Sequence, residues 1–300
     1  MELPVVVGVD GSEGSLRALD WAAAEAARSA LPLRLVHASL WERYESAGSA
    51  ADSERPSEQV LAENLVAEAR DHAQRLHPEL SVETSVEPED PVAALVGASH
   101  TAALVVLGSR GRGRIAGMLL GSVSLSLANR SHCPVVVVPA SKPDTPPTSG
   151  RVVVGIGSAP GPQAAAVFAL EEAASRHGEL VAVRSWRSPA HGSMAMSHPL
   201  LTGSATAAHH HEAEEHLEDV LETLDLAGSP EVTLHKSVVQ GPAHQKLLEA
   251  SAGADLLVVG SRRDSGRLGL HLGPVNHAML HYAPCPVAVV PDTYLESRGA

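Results

Sequence analysis

The chain has 300 residues, with Lys+Arg 22 against Asp+Glu 35 and a formal net charge of −13. That length predicts two domains, and that acidity argues against a general duplex nucleic-acid binder, which needs a basic face. Hydrophobic residues are 44% of the chain but aromatics only 2%, so the cores must come from Ala, Val and Leu, and the stacking platforms of single-strand binders are hard to supply.

The segment Met1–Asp10 has no basic n-region, and its apolar run is too short for a signal peptide. No stretch approaches the roughly 18 apolar residues that span a bilayer. Two cysteines make no disulfide framework and no CxxC pair. The expectation is a cytoplasmic protein with no membrane and no nucleic-acid partner.

In chain order, the first strand is expected at 4–10, through Val5-Val-Val-Gly8-Val9, and the second at 32–38. Ala62, Leu65, Ala69, Ala73 and Leu76 then recur at helical spacing. Strands follow at 80–86, 103–108 and 134–138. Leu104–Leu107 and Val135–Val138 are continuous apolar runs, as expected of strands covered on both faces. Residues 141–150 are expected to be a Pro-rich linker, whose prolines favour an extended, semi-rigid chain.

After the linker the order restarts. Val152-Val-Val-Gly155-Ile156 repeats Val5-Val-Val-Gly8-Val9 at an offset of 147 residues. Val259-Gly-Ser-Arg262 repeats Leu107-Gly-Ser-Arg110, and Cys285–Pro291 repeats Cys133–Pro139, both at an offset of 152. Ala213, Leu217, Val220 and Leu224 again mark a helix. Blocks in the same order at nearly constant offset indicate a tandem duplication. The domains are expected at 1–140 and 151–292, with a tail at 293–300. Alternating strand and helix predicts an α/β fold, each half a parallel sheet. Ligands in such sheets bind beyond the strands' carboxyl ends, where strand order reverses. The loops after the first and fourth strands are therefore the candidate sites.

The loop after the fourth strand reads Gly108-Ser109-Arg110-Gly111-Arg112-Gly113-Arg114, and a helix is expected to begin near Gly121-Ser122. Glycines let backbone N–H groups approach a polyanion. A helix N-terminus adds unpaired donors and a positive dipole end. Arg110, Arg112 and Arg114 place cations in an acidic chain, where a phosphate needs them. The competing reading is a glycine connection with solvated arginines. Asp10, at the end of the first strand, suits a ribose hydroxyl, or equally an Asx-turn or helix cap.

Gly108-x2-Gly111-x9-Gly121-Ser122, with Val7-Gly8-Val9-Asp10 and His132-Cys-Pro-Val-Val-Val-Val-Pro139, resembles the universal stress protein family, in its tandem two-domain form. The resemblance implies five-stranded parallel sheets sandwiched by helices, of the adenine-nucleotide alpha-hydrolase-like kind, and ATP, with or without Mg2+, across the ends of strands 1 and 4. It implies Asp10 at the adenosine, Gly8 packed near it, His37-Ala38 beside the adenine, and Gly108 through Arg114 with Gly121 and Ser122 on the phosphates.

The second half departs from this pattern. Gly155, Gly260 and Gly273 persist, but Gly111 aligns with Arg263, Ser122 with Pro274 and Asp10 with Gly157. The expectation is weak or absent nucleotide binding there, against the alternative that Arg262, Arg263 and Arg267 replace the glycine N–H groups.

Other motifs point elsewhere or nowhere. GxxxxGK[ST] and GxSxG are absent. His211-Glu212-Ala-Glu-Glu-His216 has one residue too many for HExxH. His209, Glu212 and His216 would share a helix face as a metal site, but a solvated, mobile insertion is the favoured reading of 187–216. Cys133 and Cys285 read as buried and small rather than redox-active.

The functional expectation is an ATP-binding regulatory stress-response protein acting through conformation or assembly on an unidentified regulatory protein partner. It would be a homo-dimer or an internal pseudo-dimer, with strands 134–138 and 286–290 as natural pairing edges. The alternatives are a slow ATPase or phosphoryl-transfer enzyme and a non-binding scaffold. No general base is evident for the first.

Overall fold

Valine-rich runs flanked by amphipathic helices assemble into parallel sheets in both halves of the computed structural model, which describes residues 3–39, 58–111, 120–140, 150–158, 162–187, 199–261 and 272–298. These residues fall into two compact units, one of 3–140 with Leu272 and the other of 150–261 and 273–298.

In the first unit the elements are β1 (Val5–Gly8), α1 (Glu13–Arg28), β2 (Leu33–Ala38), α2 (Glu58–Leu76), β3 (Val82–Glu87), α3 (Pro91–Ala98), β4 (Leu104–Gly108), α4 (Ser122–Arg130) and β5 (Val135–Val138). The sheet is wholly parallel, in the order β3-β2-β1-β4-β5. The order reverses between β1 and β4, so their carboxyl ends flank a crevice. Val5, Val6, Val7, Val105, Val106, Val135 and Val136 are all buried, because helices cover both faces and leave no polar side to these strands. Each such burial contributes about 1.5–3 kcal/mol before chain entropy is counted.

Helix α1 presents Ala18, Ala22, Ala23 and Ala26 together with Leu19 to the sheet. Small side chains at helical spacing let its backbone approach the strands closely, which suits a chain poor in aromatics. Ser12 caps α1, its hydroxyl accepting from Ser15 N at 3.2 Å. Asp90 caps α3 through Val92 N and Ala93 N, with Pro91 as the first helical residue.

The second unit repeats the plan with β6 (Arg151–Gly155), α5 (Pro162–Ser175), β7 (Glu179–Trp186), α6 (Pro199–Glu222), β8 (Thr233–Gln240), α7 (Ala243–Ala250), β9 (Leu256–Ser261), α8 (Pro274–Tyr282) and β10 (Val287–Pro291). Its parallel order is β8-β7-β6-β9-β10. A last helix, α9 (Tyr294–Arg298), follows. The Tyr294 hydroxyl donates to Glu171 at 2.9 Å and its ring meets Phe168 edge-on, which ties this segment to α5. Both units are thus five-stranded parallel α/β sandwiches, as the alternation of elements predicted.

One expectation is corrected. Residues 209–216, read as part of a mobile insertion, belong to α6 itself. Ala213 and Leu217 are buried on its inner side. On its outer side His209, His210 and His211 each face a glutamate one turn on, Glu212, Glu214 and Glu215. Such pairs support a helix, and the local polarity that suggested a loop is its solvated face.

Among the described residues no helix is long and apolar enough to cross a membrane.

Candidate functional site

At the β1–β4 crevice the fold brings together two loops about a hundred residues apart in sequence. Gly14, in the first turn of α1, lies against the end of β4. A Cβ on Gly108 would stand 2.5 Å from the Gly14 carbonyl oxygen, and a Cβ on Gly14 would meet the Arg110 carbonyl. Both positions need glycine because backbone meets backbone there. A Cβ on Gly111 would lie 2.5 Å from Asp10 Oδ2, so the Gly111 backbone lies directly against the Asp10 carboxylate. Gly8 is closed off by Leu107 and Leu95; it serves packing beneath the crevice.

Asp10 also holds its own turn: its Oδ1 accepts from Ser12 N at 2.9 Å. The Asx-turn and the position in the crevice coexist. His37 is 7% exposed, and its Nδ1 bonds the Val9 carbonyl at 2.6 Å, fixing the strand end that carries Asp10. Ala38 closes β2 and is partly exposed. A cleft of about 420 Å3 opens beside this loop between α1 and α2, lined by residues including Val9, Gly11, Ser15, Glu68 and His72. It contains none of Gly108, Gly111 or Gly121.

The glycine-containing segment after β4 is anchored at Ser109 and Gly121. Ser109 is buried, its N–H donates to Val138 O at 2.8 Å, and its carbonyl accepts from Gly121 N at 2.7 Å. The Gly121 N–H is therefore taken, and the available donors shift to the first turn of α4. Gly121 caps that helix without a side-chain hydrogen bond, unlike Ser12 on α1 and Asp90 on α3. Ser122 is exposed, and Ser124 Oγ donates to Gly108 O at 2.8 Å, tying the helix to the strand end. An uncapped helix start beside a glycine loop leaves N–H groups for an anion. Arg110 is exposed at the crevice rim. Arg112, Gly113 and Arg114 lie outside the described residues.

The second unit fills the same place differently. Gly8 pairs with Val36 and Gly155 with Val183, so His37 and Arg184 are structural counterparts. Arg184 donates to Ile156 O and to Ser158 Oγ, both at 3.0 Å. Burial pulls its pKa down, while the Glu212 carboxylate opposes that shift. His216, on α6, reaches Gly157 O at 2.8 Å. Gly155 packs against Leu247, as Gly8 does against Leu95. Asn276 donates to Gly260 O at 2.8 Å, the contact Ser124 makes in the first unit. Gly273 caps α8 ahead of Pro274. Arg262, Arg263 and Arg267 lie outside the described residues. Sequence reasoning missed Arg184 because nothing in its immediate neighbours signals a site.

Among the described residues no cluster of three or more His, Cys, Asp or Glu is arranged for a metal ion. His209 pairs with Glu212 and His216 turns to the Gly157 carbonyl, so the face proposed from their spacing is divided between two tasks. Cys133 and Cys285 are 6% and 2% exposed, and burial pushes both thiols up to about 12. His132 stacks on His100 with ring centroids 3.6 Å apart.

The model of the universal stress protein family matches residues 2–139 and 148–291. Universal stress protein Rv2005c of Mycobacterium tuberculosis is 37% identical over 298 residues, covering 95% of this chain and 96% of the relative. Rv2623 of the same organism is 30% identical over 302 residues, 97% of each. Among solved structures, a universal stress protein from Archaeoglobus fulgidus DSM 4304 shares the fold at TM-score 0.56 and 18% identity, over 96% of this chain and 98% of its own. A functionally unknown protein, PA1789 from Pseudomonas aeruginosa PAO1, does so at TM-score 0.62 and 15% identity, over 99% and 96%. Matched along both halves and by relatives of the same length, the chain belongs to the universal stress protein family, with two such domains in one polypeptide.

Proposed function

We propose that the first unit binds ATP across the carboxyl ends of β1 and β4, and that the second unit keeps the fold without a working nucleotide site. The observation that carries this reading is the meeting of Asp10 with Gly111 beside an uncapped α4. A carboxylate there can accept from ribose hydroxyls, while glycine backbone, the first N–H groups of α4 and Arg110 face the phosphates. The donors present fit a polyphosphate. Mg2+ would be held by phosphate oxygens and water, the usual arrangement for that ion.

In the second unit Gly157 replaces Asp10 and Arg263 replaces Gly111. In the first unit a Cβ at Gly111 would meet the Asp10 carboxylate, so loss of that glycine is compatible with loss of that carboxylate. Arg184 sets its guanidinium against Ile156 O and Ser158 Oγ, in the loop that carries Gly157.

Bound nucleotide would act through conformation or assembly of the chain, and that change would be read by a second copy of the chain or by a regulatory partner. Denaturing the purified protein and weighing the released small molecule tests the reading. About one adenine nucleotide per chain is expected. Absence of nucleotide, together with no heat of ATP binding to the refolded chain, would sink it.

A further inference from the structure

Several groups with unassigned chemistry lie outside the crevice. The two thiols are buried, and each imidazole of the α6 triplet is answered by a glutamate. The pair on α8 is different. His277 and His281 stand one helical turn apart, their ring centroids 4.3 Å apart and their planes 31° from parallel. His277 is exposed and His281 partly so. Among the described residues no carboxylate pairs with either ring.

We propose that His277 and His281 form a two-imidazole chelate for a divalent transition ion of the nickel or copper(II) kind, with water completing the coordination shell. The i, i+4 spacing puts both rings on one helix face, the same spacing by which HExxH presents its two metal-binding histidines. Imidazole nitrogen is the donor these ions favour.

Helix α8 is packed and tied beneath the two rings. Met279 and Leu280 are buried, and Asn276 is bonded to Gly260 O. Of the neighbours, the Tyr282 ring lies 5.9 Å from His281. Helix α7, which packs on α8, carries His244, Lys246 and Glu249; the last two pair with each other at 2.7 Å. Burial and the neighbouring His277 also lower the His281 pKa. With two protein ligands rather than four, the ion is exchangeable and not a structural centre.

The chain has 17 histidines, so the test must separate them. Ni2+ is titrated into the full chain against a chromophoric chelator, alongside His277→Gln, His281→Gln, the double variant and His209→Gln. Each single α8 variant should lose the same equivalent, its dissociation constant rising at least about tenfold, since even outer-shell losses cost that much. The double variant should lose no more than either single, and His209→Gln should keep that equivalent. Single-variant curves that superimpose on the parent overturn the proposal. So does a double variant whose loss is the sum of the singles, which means independent sites. In the unaltered chain, substoichiometric Cu2+ should broaden the His277 and His281 ring resonances together and first. Broadening of other histidines first overturns it independently of any variant's folding.

Discussion

Arg184 donates to the Ile156 carbonyl at 3.0 Å, from the position in which His37 bonds the Val9 carbonyl at 2.6 Å in the first unit. The contact at the strand end survives the duplication while the side chain has changed from an imidazole to a guanidinium. The longer side chain goes on to Ser158 Oγ, so it braces the loop where the first unit has its Asx-turn. Arg184→Ala should cost the second unit about 1 kcal/mol, the scale of a half-exposed charge-assisted hydrogen bond, and urea unfolding measures it. Calorimetry should still find one nucleotide per chain in that variant. A second equivalent would show that Arg184 alone was blocking a competent site.

Gly111→Ala sets a Cβ against the Asp10 carboxylate. ATP affinity should fall about tenfold, or ~1.4 kcal/mol, with little change in melting temperature, because Gly111 is exposed. Gly97→Ala is the control. It lies within α3, and its added Cβ meets nothing within 4 Å. That variant should bind ATP normally and gain about 0.5 kcal/mol of stability from helix propensity.

Asp10 serves both turn and crevice, and two substitutions separate the roles. Asp10→Asn keeps an oxygen for the Ser12 N–H but turns the outer acceptor into a donor. Its melting temperature should stay near the parent's while ATP binding weakens. Asp10→Ala should lose both. Equal ATP affinity in the parent and Asp10→Asn would remove Asp10 from the ligand contacts.

The thiols give a pH dependence with a definite sign. Burial raises Cys133 and Cys285 from the ordinary 9.0 to about 12, with the Asp255 charge adding to the rise at Cys285. Between those values the unfolded chain releases protons that the folded chain keeps. Their contribution is complete below 9 and is lost as pH rises towards 12, at most ~1.4 kcal/mol per pH unit for each thiol. Urea unfolding at alkaline pH should show a shallower decline in the Cys133→Ala, Cys285→Ala double variant. At neutral pH a disulfide reagent should label neither thiol until the chain unfolds.

Much of the fold was legible in the chain itself. The repeated Val-Val-Val-Gly block, the all-apolar runs of β4 and β5 and the alanine periodicity of the helices each report local structure, and local structure is what periodicity encodes. The helix start at Ser122 was readable for the same reason. The extent of α6 was not, since its His–Glu pairs look like loop polarity until the buried Ala213 and Leu217 fix which side faces the sheet. Ser124 and Asn276 make the same bond to Gly108 O and Gly260 O, each at 2.8 Å. Their side chains differ so much that alignment alone hides the shared task.

By itself, then, the sequence determined the duplication, the α/β class and the glycine spacing that carries the family resemblance. It also showed which motif positions the second half has lost. Tertiary structure alone decided which residues meet. Asp10 reaches Gly111, and Gly14 reaches Gly108, because β4 pairs beside β1 although the two strands are far apart in sequence. Strand order and register are properties of long-range pairing, which no local pattern records. The same holds for Arg184: only the register of β6 with β7 shows that it stands where His37 does.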